Sequence, residues 1–393
     1  MFPTIGEYNQ TIQHSGDNAF QTLSNLSFVP AKSFPIKVFL FGSGSYAVVF
    51  KANQYGDNYA IRCFLTAEQE TINRYKIICD YLKSVTANWK VDSEFLNSEI
   101  RVKGILYPVL KMEWIDGVLI NQFVSENLNS NEVLSELQKQ LVEISDSLES
   151  NKIGHGDLQC GNIIVQGTAN NFKIKLIDYD GMYVPPLVTK LSIERGRSEF
   201  QHPNRTVSNF SFDIDRFSFW VMLTALEALK TDKLLWREVL QGGFNTLDNF
   251  LFTTNDFKSP YQSRLFQRLN QINSTALNLY TEKLKWFCYN EVSKIEKPTL
   301  LGESTTTSYI PPEHLRYVPN LNVPDTSDIL ANGKILIKAN RDYANVLTAS
   351  FTKLGTTPLQ LDKQIYEGRT LIVSHGAETK QITISRYDVI IEV

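Results

Sequence analysis

Three aspartates and one asparagine are the residues best suited to chemistry. Asp157 and Asn162 stand close together in His155-Gly156-Asp157-Leu158-Gln159-Cys160-Gly161-Asn162, and Asp178 and Asp180 follow in Leu176-Ile177-Asp178-Tyr179-Asp180-Gly181. An amide oxygen and a carboxylate are hard donors of the kind magnesium prefers, in sites that keep several waters. A further carboxylate on a tight loop can accept a hydrogen bond from a hydroxyl and orient it for attack. Such a set suits phosphoryl transfer from ATP, which asks a protein for metal, orientation and shielding of charge. Asn162 and Asp178 are the candidate metal ligands, with Asp180 beside them, and Asp157 is the candidate for orienting the hydroxyl.

Those residues need elements to hold them. Leu134, Leu137, Leu141, Ile144 and Leu148 form one apolar stripe ahead of the loop, and Asn129 with Glu132 resembles a capping box at its head. The runs Ile163-Ile164-Val165 and Ile174-Lys175-Leu176-Ile177 read as strands on either side of a polar turn. Residues 213–229 are apolar nearly all round after the first turn, which predicts a buried helix. Upstream, residues 36–40, 47–51 and 59–64 predict a β-meander with a glycine turn, Gly42-Ser43-Gly44-Ser45, at its first hairpin. Residues 67–84 then carry helical spacing in Ile72, Tyr75, Ile78 and Leu82.

In this order the segments resemble the protein kinase superfamily over roughly residues 36–295. The form His-Gly-Asp-Leu-x-x-Gly-Asn is nearer the aminoglycoside phosphotransferase and choline kinase branch than typical protein kinases. The wider stretches Leu176–Pro185, Glu199–Arg205 and Asp213–Val221 resemble a group of bacterial kinase-like proteins described as serine/threonine kinases. The resemblance implies a bilobal α+β kinase-like fold, with a small β lobe, a large helical lobe and a C-terminal small β-rich domain. It implies ATP and Mg2+ as cofactors and a protein substrate. Asp157, Asn162, Asp178 and Arg62 would be the catalytic set, with Asn162, Asp178 and Asp180 at the metal. Gly42, Ser43, Gly44 and Ser45 would cover the phosphates. Val49 and Ala60 would pack on the adenine from above and Ile164 from below, with Met112, Glu113 and Trp114 as gatekeeper and hinge. Asp215 would brace the catalytic loop from beneath; it also reads as an ordinary acid at a helix N-terminus. His155 would be structural.

Several residues depart from that pattern. Arg62 stands in place of the phosphate-binding lysine; it keeps the charge but differs in geometry. Its usual glutamate partner on the next helix is not evident, and Glu68, Glu70 and Asp80 stay open. Gly156 replaces an arginine that grips a phosphorylated segment, which argues against that switch. Gln159 replaces a lysine, and Asp180 replaces a glycine. Two other functions therefore stay beside the protein kinase: a nucleotide-binding pseudokinase scaffold and a small-molecule phosphotransferase.

The 393 residues, 42% hydrophobic and 21% charged with net charge −3, suit an ordinary globular protein and offer no basic footprint for nucleic acid. No apolar run is long enough for a membrane helix. The first ten residues lack a signal-peptide pattern, and four scattered cysteines form no metal or disulfide framework. These features predict a cytoplasmic protein that meets neither membrane nor nucleic acid. The expected divisions are a polar N-terminal extension (1–34), a small β lobe (35–112), a helical lobe (113–297), a Thr/Ser/Pro linker (298–325) and a β-rich domain (326–393). That last domain is a candidate for partner recognition or dimerisation.

Overall fold

The computed structural model describes residues 2–30, 39–43, 46–66, 68–239, 242–246, 249–302, 334–338, 345–348, 353–356, 359–362, 370–375, 378–383 and 390–392. The chain divides into two compact units, Met1–Arg316 and Tyr317–Val393. Both α-helices and antiparallel strands build the first unit, so the class is α+β.

The polar N-terminal stretch opens on a capped helix, α1 (Ile5–Ser15), whose start is fixed reciprocally: Glu7 N–H donates to Thr4 Oγ1, and Thr4 N–H donates to Glu7. Strand β1 (Leu26–Phe28) then joins a six-stranded sheet made with β2 (Leu40–Ser43), β3 (Ala47–Gln54), β4 (Asp57–Phe64), β5 (Ser93–Val102) and β6 (Ile105–Glu113). The order is β1-β3-β4-β6-β5, with β2 also paired to β3. Tyr55 and Gly56 turn the β3–β4 hairpin with φ of 54° and 102°, the left-handed pair that a two-residue turn between twisted strands requires. The predicted first strand meets β2 only at Leu40; residues 31–38 lie outside the described residues, and Gly42 and Ser43 belong to the strand.

Strand alternation gives the sheet two different faces. Val48, Phe50, Ala52, Ile61, Cys63 and Val109 point to one side, where Tyr8, Ile12, Phe20, Leu23 and Leu26 cover them. On the other side Phe64, Leu110 and Met112 join the main core. Val49 lies opposite Arg62, Lys51 opposite Ala60, and Met112 opposite Ala60. Those residues therefore share the inner face. Helix α2 (Gln69–Leu82) packs there through Tyr75, Ile78, Cys79 and Leu82.

The rest of the unit is mainly helical. Strand β7 (Val118–Leu119) leads into α3 (Ile120–Asn127) and α4 (Asn131–Ser150). The cap of α4 is Ser130, whose hydroxyl accepts from Val133 N–H, one residue beyond the expected Asn129. Strands β8 (Ile163–Thr168) and β9 (Asn171–Leu176) form a hairpin beside β7. Helix α5 (Arg216–Thr231) is buried at every position from Phe217 to Leu229. Helix α8 (Thr275–Tyr289) packs on it, with α6 (Thr254–Lys258) and α7 (Arg264–Asn270) against α8. All four cysteines are buried, and none is in a disulfide. Among the described residues no helix is long and apolar enough to cross a membrane.

The second unit contains β10 (Lys334–Lys338), β11 (Asn345–Thr348), β12 (Lys353–Thr356), β13 (Leu359–Asp362), β14 (Thr370–His375), β15 (Glu378–Thr383) and β16 (Ile390–Glu392). They make one sheet ordered β13-β10-β16 and another ordered β12-β11-β14-β15, with Val346, Leu371, Ile372 and Val373 buried. The expected linker lies outside the described residues beyond Gly302.

Glu99 on β5 ties the N-terminal segment to the sheet. Only 1% exposed, its carboxylate accepts from Thr22 N–H at 2.8 Å, Leu23 N–H at 2.7 Å and the Thr22 hydroxyl at 2.7 Å. Removing it leaves the buried Leu23 N–H and two part-buried donors of Thr22 without their acceptor. Urea unfolding of Glu99→Ala should show a loss of about 3 kcal/mol, whereas exposed Glu94→Ala should stay within about 0.5 kcal/mol of wild type. Equal losses would refute the role given to Glu99.

Candidate functional site

Asp215 stands immediately before helix α5, at its N-cap position, and shapes the loop that carries Asp157. The carboxylate does not cap its own helix. It instead accepts from His155 N–H at 2.5 Å and Gly156 N–H at 2.9 Å, while only 3% exposed. The bracing role is thus the one the structure displays. Gly156 has φ +85°, and a Cβ there would lie 2.2 Å from the Gly181 carbonyl oxygen, so no side chain fits where the two segments cross. His155 is buried, with Nε2 2.9 Å from the Ile177 carbonyl.

The loop so held presents Asp157 and Asn162 together. Asn162 Nδ2 donates to Asp157 Oδ2 at 3.0 Å and to the Asp157 carbonyl at 2.8 Å, which leaves its amide oxygen as an acceptor for another group. Ile177 N–H donates to the Asn162 carbonyl at 2.9 Å, which ties this loop to the residue before Asp178. Asp178 has φ +63°, in the left-handed region that aspartate enters more readily than most side chains. Tyr179 anchors the turn: Val91 N–H donates to its hydroxyl, which donates in turn to the Leu176 carbonyl. Gln159 points elsewhere; its side-chain oxygen accepts from Gly161 N–H at 2.8 Å.

Strand β4 delivers Arg62 to the same place. Its Nη1 donates to Asp178 Oδ1 at 2.8 Å and Asp180 Oδ1 at 2.7 Å, and Nη2 donates to Asp180 Oδ2 at 2.6 Å. The two-pronged pairing with Asp180 matches the guanidinium fork to the carboxylate plane. Glu70 pairs instead with Lys190 at 3.2 Å, Asp80 pairs with Lys83 at 2.8 Å, and Glu68 sits at the α2 cap. Burial alone would lower the Arg62 pKa, but the two carboxylates raise it. Burial likewise works against the charge on Asp178, but Arg62, Asp180 and His155 together hold that carboxyl below its ordinary value. Asp180, pushed up by burial to about 6 even though Arg62 draws it down, is still ionised at neutral pH.

A further acid arrives from the segment after Asp180. Glu194 lies against Gly181, where an added Cβ would be 2.5 Å from its Oε1. Burial, then the charges of Asp157, Asp180 and Asp178, push its carboxyl up to about 7. Three residues on, Arg197 N–H donates to Asp157 Oδ1 at 2.8 Å. Arg74 of α2, 4% exposed, donates to the Leu191 carbonyl at 2.5 Å. Beneath, buried Arg205 donates to the Gln201 side-chain oxygen and faces Asp215, Asp157 and Glu194. His202 is also buried, with Nε2 donating to the Phe287 carbonyl at 2.8 Å and Nδ1 accepting from Asn204 N–H. Glu194 was not expected at the site, because a lone acid on a loop carries no positional signal; Arg205 closes the Glu199–Arg205 stretch already singled out by the resemblance.

The residues expected around a nucleotide are distributed unevenly. Val49, Ala60 and Met112 share the sheet's inner face with Arg62, and Ile164 is half-buried on β8 opposite Leu119. The N–H groups of Glu113 and Trp114 are already paired, with the carbonyls of Asp92 at 2.8 Å and Asn58 at 2.9 Å. Gly42 is exposed on β2, Ser43 lies in that strand, and Gly44 and Ser45 lie outside the described residues. For a cation the donors available are few: the Asn162 amide oxygen and the Asp178 carboxylate. Among the described residues no cluster of three or more His, Cys, Asp or Glu is arranged to hold a metal by itself. Two hard oxygens suit an ion that brings water or phosphate oxygens with it. No protein-family model matches the chain, and no curated protein matches it.

The raised pKa of Glu194 fixes a sign. Between pH 4.5 and about 7 the folded protein holds a proton there that the unfolded chain has lost. That stabilisation is complete below 4.5 and disappears as pH rises through 7. Asp180 contributes in the same direction at lower pH. In thermal melts from pH 5 to 8, the Glu194→Gln variant should therefore gain stability relative to wild type as pH rises. Parallel curves would show that Glu194 does not titrate in this window.

Proposed function

We propose that this chain is an ATP- and magnesium-dependent phosphotransferase with a bilobal kinase-like fold, acting on serine or threonine hydroxyls of a protein. The observation that carries the reading is the convergence of Asp157, Asn162 and Asp178: Asn162 is bonded to Asp157 through its side chain and to the residue before Asp178 through its backbone. A sheet carrying Arg62 on one side of these residues and a helical body carrying the loop on the other support the fold assignment.

Each residue then has a distinct task. Asp157 accepts the hydrogen bond of the attacking hydroxyl and sets its direction, its own carboxylate being oriented by Asn162 and by Arg197 N–H. Asn162 and Asp178 would hold magnesium, which supplies neutralisation of the phosphate charge when bound. Arg62 offers a fixed positive charge from the sheet, directed to the same point. Met112, Val49, Ala60 and Ile164 offer apolar surface for a base. The Asp215 brace keeps the loop from rearranging when the charge around it changes.

One observation favours a second reading, a nucleotide-binding scaffold. Arg62 is engaged with both Asp178 and Asp180, so a nucleotide or metal would have to displace at least one of those bonds before chemistry. A direct assay separates the readings. With γ-labelled ATP and magnesium, the purified chain should label itself or a generic protein acceptor, and Asp157→Ala and Asp178→Asn should each lower transfer by about a hundredfold or more. ATP binding without transfer or consumption in wild type would support the scaffold instead.

A further inference from the structure

Resting on the phosphotransferase reading, we infer that Asp180 is the positioning partner of Arg62, a task that no acid of helix α2 performs. Four observations converge on it. Asp180 uses both carboxylate oxygens on the guanidinium, at 2.7 and 2.6 Å, whereas Asp178 uses one at 2.8 Å. Helix α2 turns Tyr75 toward Arg62, its ring centroid 5.7 Å from Cζ, and that ring is 4% exposed. The acids of the helix are committed elsewhere, Glu70 to Lys190 and Asp80 to Lys83. Asp178 and Asp180 share one tight turn whose first residue has φ +63°, and both side chains reach the same guanidinium.

The division of labour follows from the bonding. Breaking the single Asp178 contact frees that carboxylate for a cation and leaves the Asp180 fork intact. Arg62 then has its charged anchor in the turn that carries the metal ligand, while α2 contributes only the Tyr75 ring. An Asp180 used as a metal ligand would have to surrender the fork, and Arg62 would lose its only two-pronged anchor among the described residues.

The experiment measures ATP affinity of the full chain, with magnesium and with chelator, alongside melting temperature. Asp180→Asn should weaken ATP binding about tenfold in both conditions by letting the guanidinium drift. The magnesium concentration needed for half-maximal binding should stay near wild type in that variant and rise in Asp178→Asn. Glu70→Gln and Asp80→Asn should keep wild-type affinity. In the ligand-free protein, the melting shifts of Arg62→Gln and Asp180→Asn should not add in the double variant. Should Asp180→Asn fail to fold, Asp180→Glu serves: it keeps the charge but displaces the fork, and should weaken ATP with chelator while leaving the magnesium requirement unchanged. The inference is overturned if Asp180→Asn changes only the magnesium requirement, if Glu70→Gln or Asp80→Asn weakens ATP as much, or if the two melting shifts add. A wild-type chain that binds no ATP would instead overturn the phosphotransferase reading on which the inference rests.

Discussion

A single buried carboxylate holds the centre of the molecule together. Asp215 is ionisable, almost fully enclosed and located at the head of the most deeply buried helix, where leaving its charge uncompensated would be expensive. It is compensated by two backbone N–H groups of the loop that carries Asp157. Burial raises its pKa, while His155, those donors and Arg205 work the other way. The helix, itself locked by the surrounding core, thereby becomes a fixed reference for the loop. From that reference the bonds run outward to Asp157, Asn162, Ile177 and Asp178.

The arrangement concentrates charge of both signs. Asp157, Asp178, Asp180 and Glu194 supply the negative groups, and Arg62 and Arg205 approach from the sheet side and from beneath. Acids this close in a partly enclosed place persist only if each finds a partner for its charge or keeps its proton. Asp178 and Asp180 take the first route through Arg62, and Glu194 takes the second, with its carboxyl raised to about 7. Different solutions within one site produce groups with different proton affinities side by side.

What could be read from the residues, and what could not, divides by distance along the chain. Asp157 and Asn162 lie on one loop, so their association was legible from spacing, as was the buried α5 from its nearly continuous apolar run. The resemblance grouped Val49, Ala60 and Arg62 around one nucleotide, and the cross-strand register of β3 and β4 puts them on a common face. The partner of Arg62 was not legible: Asp180 is 118 residues away, and local spacing pointed toward helix acids that the folded chain engages elsewhere. The N-terminal helix was missed although its signal was present, since Thr4 and Glu7 stand at capping-box spacing. Polar composition obscured it, because only Tyr8 and Ile12 of that helix are buried. The glycine at 156 could be read as a lost arginine, but its cause, contact with Gly181, exists only in three dimensions.

The distribution of the cysteines makes the fold its own reporter. Cys63 lies in the cluster between sheet and N-terminal segment, Cys79 on α2, Cys160 in the loop before Asn162, and Cys288 on α8. Each is at most 4% exposed, and burial raises the thiol pKa of Cys63, Cys79 and Cys288. A thiol reagent can reach any of them only when its own neighbourhood opens. Peptide-resolved alkylation rates would accordingly map the breathing of four separate regions in the untouched wild-type chain, with no probe added to disturb it.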